Sequence, residues 1–161
     1  MKKRYYVLFV CSGNTCRSPL AEALMKSKIM EKRIGNVSVS SAGVSAVRGL
    51  RAAENSRTVA RELGASLAGF RSSPVTARRV ALADLILTME DKHRSSILER
   101  WPGADGKVHV ITEFSGSGRR GISDPVGGPL DAYRECGLAL QDEINKIVPG
   151  LKKLISTRGK K

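Results

Sequence analysis

Three observations predict an α/β fold for this chain. Short apolar runs that read as strands alternate with helical stretches along the sequence, and such alternation implies right-handed crossovers onto a parallel sheet covered on both faces. The first run, Tyr5–Val10, is continuously apolar, as a strand buried on both sides is expected to be. The length, 161 residues, suffices for one well-buried core and is too short for two ordinary domains, so residues 1–161 read as a single domain.

After the first strand, Pro19 to about Arg33 reads as an amphipathic helix, with Leu20, Ala23, Leu24 and the stretch near Ile29 facing inward and Gly35 as its stop. Val37–Ser41 alternates as a second strand, and Ala52–Leu63 forms a helix ended by Gly64. Asp84–Thr88 supplies a third strand, Glu90–Arg100 a helix broken by Pro102, and Lys107–Thr112 a fourth strand. A glycine-rich loop, Gly116–Gly128, leads to a long helix over Leu130–Val148. Pro149-Gly150 marks its end or a kink, with some helical continuation beyond.

Composition narrows the function. Lys2-Lys3-Arg4 followed by the apolar Tyr5–Val10 imitates a secretory leader, but the imitation fails at Ser12 to Arg17, and cleavage there would destroy the strand and its loop. No stretch approaches the roughly 20 apolar residues of a membrane span. A cytoplasmic protein that does not engage a membrane is expected. The three cysteines, Cys11, Cys16 and Cys136, form no C-x-x-C and are expected as thiols. His93 and His109 are the only imidazoles, neither spaced near a cysteine; each is assigned a surface or structural place, and no metal or cofactor is expected. The net charge of +13 raises nucleic acid as a partner, yet the basic residues are scattered, with no interleaved aromatics and no recognition motif. A solvated surface that steers anionic substrates is the reading favoured over nucleic acid, and both ends of the chain, 1–4 and 158–161, read as solvated.

The chemistry concentrates in Cys11-Ser12-Gly13-Asn14-Thr15-Cys16-Arg17-Ser18, where the first strand runs into a turn and then a helix. Five residues between Cys11 and Arg17 let the backbone curl around an oxyanion with the N–H groups of Ser12 to Arg17 pointing inward, while Arg17 closes the ring with a bidentate fork. Gly13 and Asn14 accept the positive φ that such a nest needs. The helix beginning near Ser18 adds an N-terminal dipole that favours bound phosphate and a thiolate at Cys11. Alone, C-x5-R also fits a structural cysteine beside a surface arginine.

The longer string is more specific. Val7–Pro19, continued by Leu20-Ala21-Glu22-Ala23-Leu24, resembles the low-molecular-weight protein tyrosine phosphatase family, which includes bacterial protein arginine phosphatases. Ser40-Ser41-Ala42-Gly43, Ala83–Met89 and Ser123-Asp124-Pro125 extend the resemblance over nearly the whole chain. It implies a four-stranded sheet in the order 2-1-3-4. It also implies Cys11 as the nucleophile that forms a cysteinyl-phosphate, Arg17 and the loop amides as the phosphate ligands, and Ser18 as a donor to the Cys11 sulfur. Asp124, otherwise an ordinary Asp-Pro turn, becomes the general acid. Asn14 and Ser41 match positions that buttress the loop, although a turn residue and a strand-end hydroxyl explain them nearly as well. Phe70 stands where many relatives carry histidine.

The substrate is then a phosphorylated protein, and two residues bear on which kind. Tyrosine phosphatases of the family usually place aromatics just after the Asp-Pro pair; here Val126-Gly127-Gly128 follows, and the loop after Gly43 lacks an aromatic through Arg51. Thr15 matches the arginine phosphatases, where tyrosine phosphatases often carry isoleucine, although those arginine phosphatases often have an aromatic where Val126 stands. Phosphoarginine is the expected substrate, phosphotyrosine the alternative, and a non-catalytic phosphate- or nucleic-acid-binding module the reading from another class. Cys16 matches relatives in which it forms a reversible disulfide with the nucleophile, making it the candidate redox partner; its alternative is a small apolar packing residue. A monomer is expected.

Overall fold

A computed structural model describes residues 3–158; Met1, Lys2, Gly159, Lys160 and Lys161, part of the expected solvated ends, lie outside the described residues. Four parallel strands form the sheet: β1 (Tyr5–Cys11), β2 (Val37–Gly43), β3 (Leu85–Thr88) and β4 (Val108–Val110), in the order β2-β1-β3-β4. This is the sheet that the resemblance implied. The helices are α1 (Arg17–Glu31), α2 (Glu54–Glu62), α3 (Ala77–Leu82), α4 (Asp91–Arg100), α5 (Ile111–Ser115) and α6 (Leu130–Arg158).

β1 is central, pairing along its whole length with β2 from Tyr5↔Val37 to Cys11↔Gly43, and with β3 from Val7↔Leu85 to Val10↔Thr88. Its side chains alternate between two cores, as a pleat requires. Val7, Phe9 and Cys11 join Leu20, Leu24 and Met25 of α1, Val59 of α2, and Leu140, Ile144 and Leu151 of α6. Leu8 and Val10 join Val80 of α3, Ile97 of α4 and Ile86 of β3 on the other face. The chain leaves β1 toward one neighbour and later returns on the other side, so the carboxyl ends of β1 and β3 flank the switch in strand order, where ligands bind in such sheets. Cys11 ends one of these strands, and Glu90 follows two residues after the other.

The structure shortens one expected strand, adds one helix, and shows that the last helix continues beyond Pro149-Gly150 rather than ending there. The fourth strand stops at Val110, because β3 offers no partner past Thr88; Ile111–Ser115 turns instead into α5, with Ile111 and Thr112 buried. Helix α3 was not expected from the sequence. It starts at Thr76, whose hydroxyl accepts from the Arg79 N–H at 3.2 Å, an N-cap signal followed by only six helical residues. α6 runs through Pro149 to Arg158 as one helix. An interior proline costs about 3 kcal/mol, and here Val148 before it and Leu151 after it are both buried and hold the two halves against the core. The other boundaries fall within a few residues of expectation, α1 starting at Arg17 rather than Pro19.

Two glycines of α6 carry opposite expectations. A Cβ on Gly137 would lie 2.5 Å from Val59 Cγ1 and 3.1 Å from Leu63 Cδ1, whereas one on Gly150 meets nothing within 4 Å. Gly137→Ala is therefore expected to destabilise the protein by about 1–3 kcal/mol through overpacking. Gly150→Ala is expected to stabilise it by about 0.5–1 kcal/mol by removing a helix-interior glycine. Urea unfolding of the two variants beside the parent checks both signs; a loss at Gly150 as large as that at Gly137 contradicts the packing account.

Candidate active site

The segment between Cys11 and Arg17 is shaped by what grips it from outside. The carbonyl of Cys11 accepts from Val44 N at 3.0 Å, that of Ser12 from Ser45 N at 2.9 Å, and that of Thr15 from Ala53 N at 2.8 Å. The Cys16 carbonyl accepts from Ser56 Oγ at 3.2 Å. In a trans peptide the N–H points opposite to the preceding C=O. Four outward carbonyls therefore turn the N–H groups of Ser12, Gly13, Cys16 and Arg17 inward, which is the concave arrangement that binds anions. The loop from β2 must come very close to do this: a Cβ on Gly43 would lie 2.4 Å from the Ser12 carbonyl oxygen and 2.9 Å from Asn14 N. Only glycine fits there.

Asn14 takes the left-handed turn, with φ of 55°, and is wholly buried. Its amide compensates. Nδ2 donates to Ser18 Oγ at 2.8 Å and to Ser41 Oγ at 2.9 Å, and Oδ1 accepts from Ser73 N at 2.9 Å. Phe70 packs against the apolar core and takes no part, so Asn14, Ser18, Ser41 and the Ser73 backbone close this network without it. Because Ser18 Oγ accepts from Asn14, its own hydrogen is free for Cys11 Sγ, 2.9 Å away, rather than for the Ala42 carbonyl at 3.4 Å.

Arg17 is the largest of the fully buried side chains. Its Nη1 donates to the Glu90 carboxylate and, at 2.9 Å, to the Ile122 carbonyl; Nη2 lies 3.4 Å from Asp124 Oδ2. One terminal nitrogen is thus anchored by the protein, while the other makes only the longer contact with Asp124. Burial raises the Glu90 carboxyl, but the bond and charge of Arg17 outweigh it and hold the group below the usual carboxylate range. The other carboxylate oxygen of Asp124 accepts from Val126 N at 3.1 Å, an Asx turn that fixes the side chain while leaving it about one-third exposed.

A pocket of about 200 Å³ opens between these groups, lined by Cys11, Gly13, Thr15, Cys16, Arg17, Asp124 and Val126. Among the described residues no aromatic ring lines it. Cys16 is buried at its edge, its sulfur 3.6 Å from the Tyr133 hydroxyl. Burial, together with that contact, pushes the Tyr133 phenol up to about 12. Cys136, deeper in α6, is pushed up to about 12 by burial and so remains a neutral thiol at physiological pH.

The structure thus brings Cys11, Gly13, Thr15, Cys16, Arg17, Asp124 and Val126 to one pocket, with Ser18 and Asn14 directly beneath it. Ser12 differs: its side chain turns to His93, with Oγ 2.9 Å from Nε2. Of a surface and a structural place, His93 takes the structural one, buried at the start of α4. Sequence reasoning missed Glu90, the Ile122 carbonyl, the Ser73 N–H and Tyr133. For Glu90 a signal existed, since a carboxylate just beyond the third strand sits beside the end of the first once the strand order is known. Among the described residues no group of three His, Cys, Asp or Glu side chains is placed to hold a metal, and no helix is long and apolar enough to cross a membrane.

Residues 6–157 match the family model described as low molecular weight phosphotyrosine protein phosphatase. A protein-arginine-phosphatase of Geobacillus stearothermophilus is 37% identical over 153 residues, covering 95% of this chain and 97% of its own. A YwlE arginine phosphatase mutant solved with a phosphorylated active-site serine superposes with a TM-score of 0.87 at 34% identity, over 92% of this chain and 96% of that one. The tyrosine phosphatase AmsI of Erwinia amylovora superposes with a TM-score of 0.83 at 31% identity, over 91% and 93% of the two chains. The outward-gripped cysteine loop, the buried arginine and the matching fold along the whole length point the same way: this chain belongs to the low molecular weight phosphotyrosine protein phosphatase family.

Proposed function

We propose that this chain is a cysteine-dependent protein phosphatase acting on phosphoarginine, and the absence of any aromatic ring from the pocket wall carries that choice of substrate. A phosphotyrosine ring gains its binding from stacked or edge contacts. Thr15 and Val126 instead offer a small hydroxyl and an aliphatic surface, and Asp124 supplies a carboxyl oxygen that can accept from a guanidinium N–H. The arginine-phosphatase relatives support the same reading.

In this mechanism Cys11 Sγ attacks phosphorus in line as the P–N bond of phosphoarginine breaks. The P–N electron pair goes to the departing nitrogen and Asp124 delivers a proton to it, so the leaving group departs as the guanidinium of arginine. The inward N–H groups and the open edge of Arg17 hold the equatorial oxygens and take up charge in the transition state. Asp124, now a carboxylate, accepts a proton from water as that water attacks the cysteinyl-phosphate, releasing inorganic phosphate and restoring the thiolate. Glu90 and the Ile122 carbonyl keep Arg17 aimed, and Ser18 stabilises the sulfur both as nucleophile and as leaving group. The backbone nest and one guanidinium supply the positive charge, so the reaction needs no metal and no cofactor. The protein works as a cytoplasmic monomer on phosphorylated protein substrates.

Turnover of matched phosphoarginine and phosphotyrosine peptides tests the choice of substrate. A preference for phosphoarginine is expected, and Thr15→Ile is expected to lower phosphoarginine turnover more than phosphotyrosine turnover by crowding and drying the wall. A tenfold preference of the parent for phosphotyrosine, about 1.4 kcal/mol in transition-state binding, would instead establish the tyrosine reading, which the AmsI relative favours.

Oxidation probes a second assignment. Cys16 lines the same pocket as Cys11, and we propose that the two form a reversible disulfide when the enzyme meets peroxide. Peroxide inactivation of the parent is expected to be reversed by dithiothreitol, whereas Cys16→Ser is expected to proceed to the sulfinic or sulfonic acid and stay inactive. Equal recovery of both proteins, with no Cys11–Cys16 crosslink by mass spectrometry, leaves Cys16 as a packing residue.

A further inference from the structure

His93 takes no part in the chemistry above, yet it is buried, and both of its ring nitrogens are engaged. It is the third residue of α4, whose N-cap is Glu90. Nδ1 lies 3.1 Å from the backbone N of Glu90, which can only donate, so Nδ1 is an acceptor and carries no proton. The ring hydrogen is therefore on Nε2, 2.9 Å from Ser12 Oγ, and the serine hydroxyl accepts it. An imidazolium would set an N–H against the Glu90 N–H. Burial, followed by the charge of Arg17, accordingly pushes the ring down to about 4; Lys92 acts in the same direction, and Glu90 and Asp124 oppose it. The neutral Nε2–H tautomer persists across the physiological range.

This ring reaches one end of the phosphate cradle while its helix holds the other. Ser12 is the residue after Cys11, and its N–H is one of those turned inward. Arg17 closes the loop and is gripped by the Glu90 carboxylate. A single helical turn, Glu90 to His93, thus brackets the loop at both ends. The Cys11 carbonyl is held by Val44 N at 3.0 Å, the Ser12 carbonyl by Ser45 N at 2.9 Å and the Ser12 side chain between them by His93 Nε2 at 2.9 Å, so the peptides that present the first two inward N–H groups have little freedom to rotate. We propose that His93 is a positioning residue for phosphoryl transfer: its Nε2–H holds Ser12, and with it the first amide of the cradle, in register with the Arg17 fork that Glu90 aims. The inference rests on the phosphatase reading but is indifferent to which phosphorylated residue is the substrate.

Two substitutions separate this role from simple helix capping. In His93→Asn the amide oxygen can still accept from the Glu90 N–H, but the side chain is too short to reach Ser12. In His93→Gln the amide nitrogen can take the place of Nε2 and reach Ser12. Steady-state hydrolysis of p-nitrophenyl phosphate and competitive inhibition by inorganic phosphate are measured for both and for the parent, with circular dichroism as the check on folding. His93→Asn is expected to lose at least about tenfold in kcat/KM, the scale on which misplacement of a binding group costs rate. Its phosphate inhibition constant is expected to rise in step, while His93→Gln stays within about threefold of the parent. Ser12→Ala is expected to resemble His93→Asn, and the two combined are expected to be no worse than the poorer single variant, since both remove the same bond. If His93→Asn equals or exceeds His93→Gln, or if the losses of Ser12→Ala and His93→Asn multiply, the positioning role is wrong and the histidine only caps its helix. If His93→Asn does not fold, the comparison of Ser12→Ala with the parent decides: unchanged kcat/KM and phosphate inhibition overturn the proposal. A parent that cannot hydrolyse p-nitrophenyl phosphate at all overturns the phosphatase reading and this one with it.

Discussion

A buried, charged guanidinium is the constraint on which the rest of the site depends. Taking an arginine out of water costs several kcal/mol unless its hydrogens find acceptors, and Arg17 is almost wholly inaccessible. Its acceptors come from two distant segments: Glu90 just beyond β3, and Ile122 and Asp124 in the loop before α6. The strand order brings these segments to the end of β1, so the sheet topology and the electrostatics of the site are a single problem with a single solution. In the proposed mechanism the phosphoryl dianion is the further acceptor that such a held cation calls for.

The second constraint is the backbone. A ring of inward amides has its carbonyls facing out, and each outward carbonyl needs a donor. Val44, Ser45 and Ala53 supply backbone donors and Ser56 a hydroxyl, all from the segment that follows β2. That explains why Gly43 has no room for a side chain, and why Asn14 accepts a strained turn in exchange for three hydrogen bonds that reach Ser18, Ser41 and Ser73. The same network leaves the Ser18 hydrogen for the Cys11 sulfur, so the scaffold and the proposed nucleophile are linked by one side chain.

Much of this was legible in the sequence because the chemistry is contiguous there. The strand, cysteine, turn, arginine and helix from Val7 to Leu24 declare themselves by local pattern, and the family resemblance supplied Asp124, Asn14, Ser41 and the strand order. What escaped was what folding brings together from afar: Glu90 lies 73 residues from Arg17, Ile122 105 residues, and His93 81 residues from the Ser12 it touches. No local rule pairs them. Elements were misread where tertiary contacts overrode propensity. The apolar run through Thr112 left the sheet when β3 ran out of length, and Pro149 stayed helical because Val148 and Leu151 are buried on either side of it.

The central claim is that Cys11 carries the phosphoryl group during turnover, and one measurement bears on it most directly. Nitrophenolate leaves without needing a proton, whereas attack of water on a cysteinyl-phosphate needs Asp124 as a base, so Asp124→Asn turning over p-nitrophenyl phosphate is expected to accumulate the intermediate. Rapid acid quench followed by peptide mass spectrometry is expected to find one phosphoryl group on the peptide containing Cys11, matched by a burst of one equivalent of nitrophenolate. Continued turnover with no burst, and with no phosphoryl group on Cys11, would mean that water attacks phosphorus directly and would contradict the account.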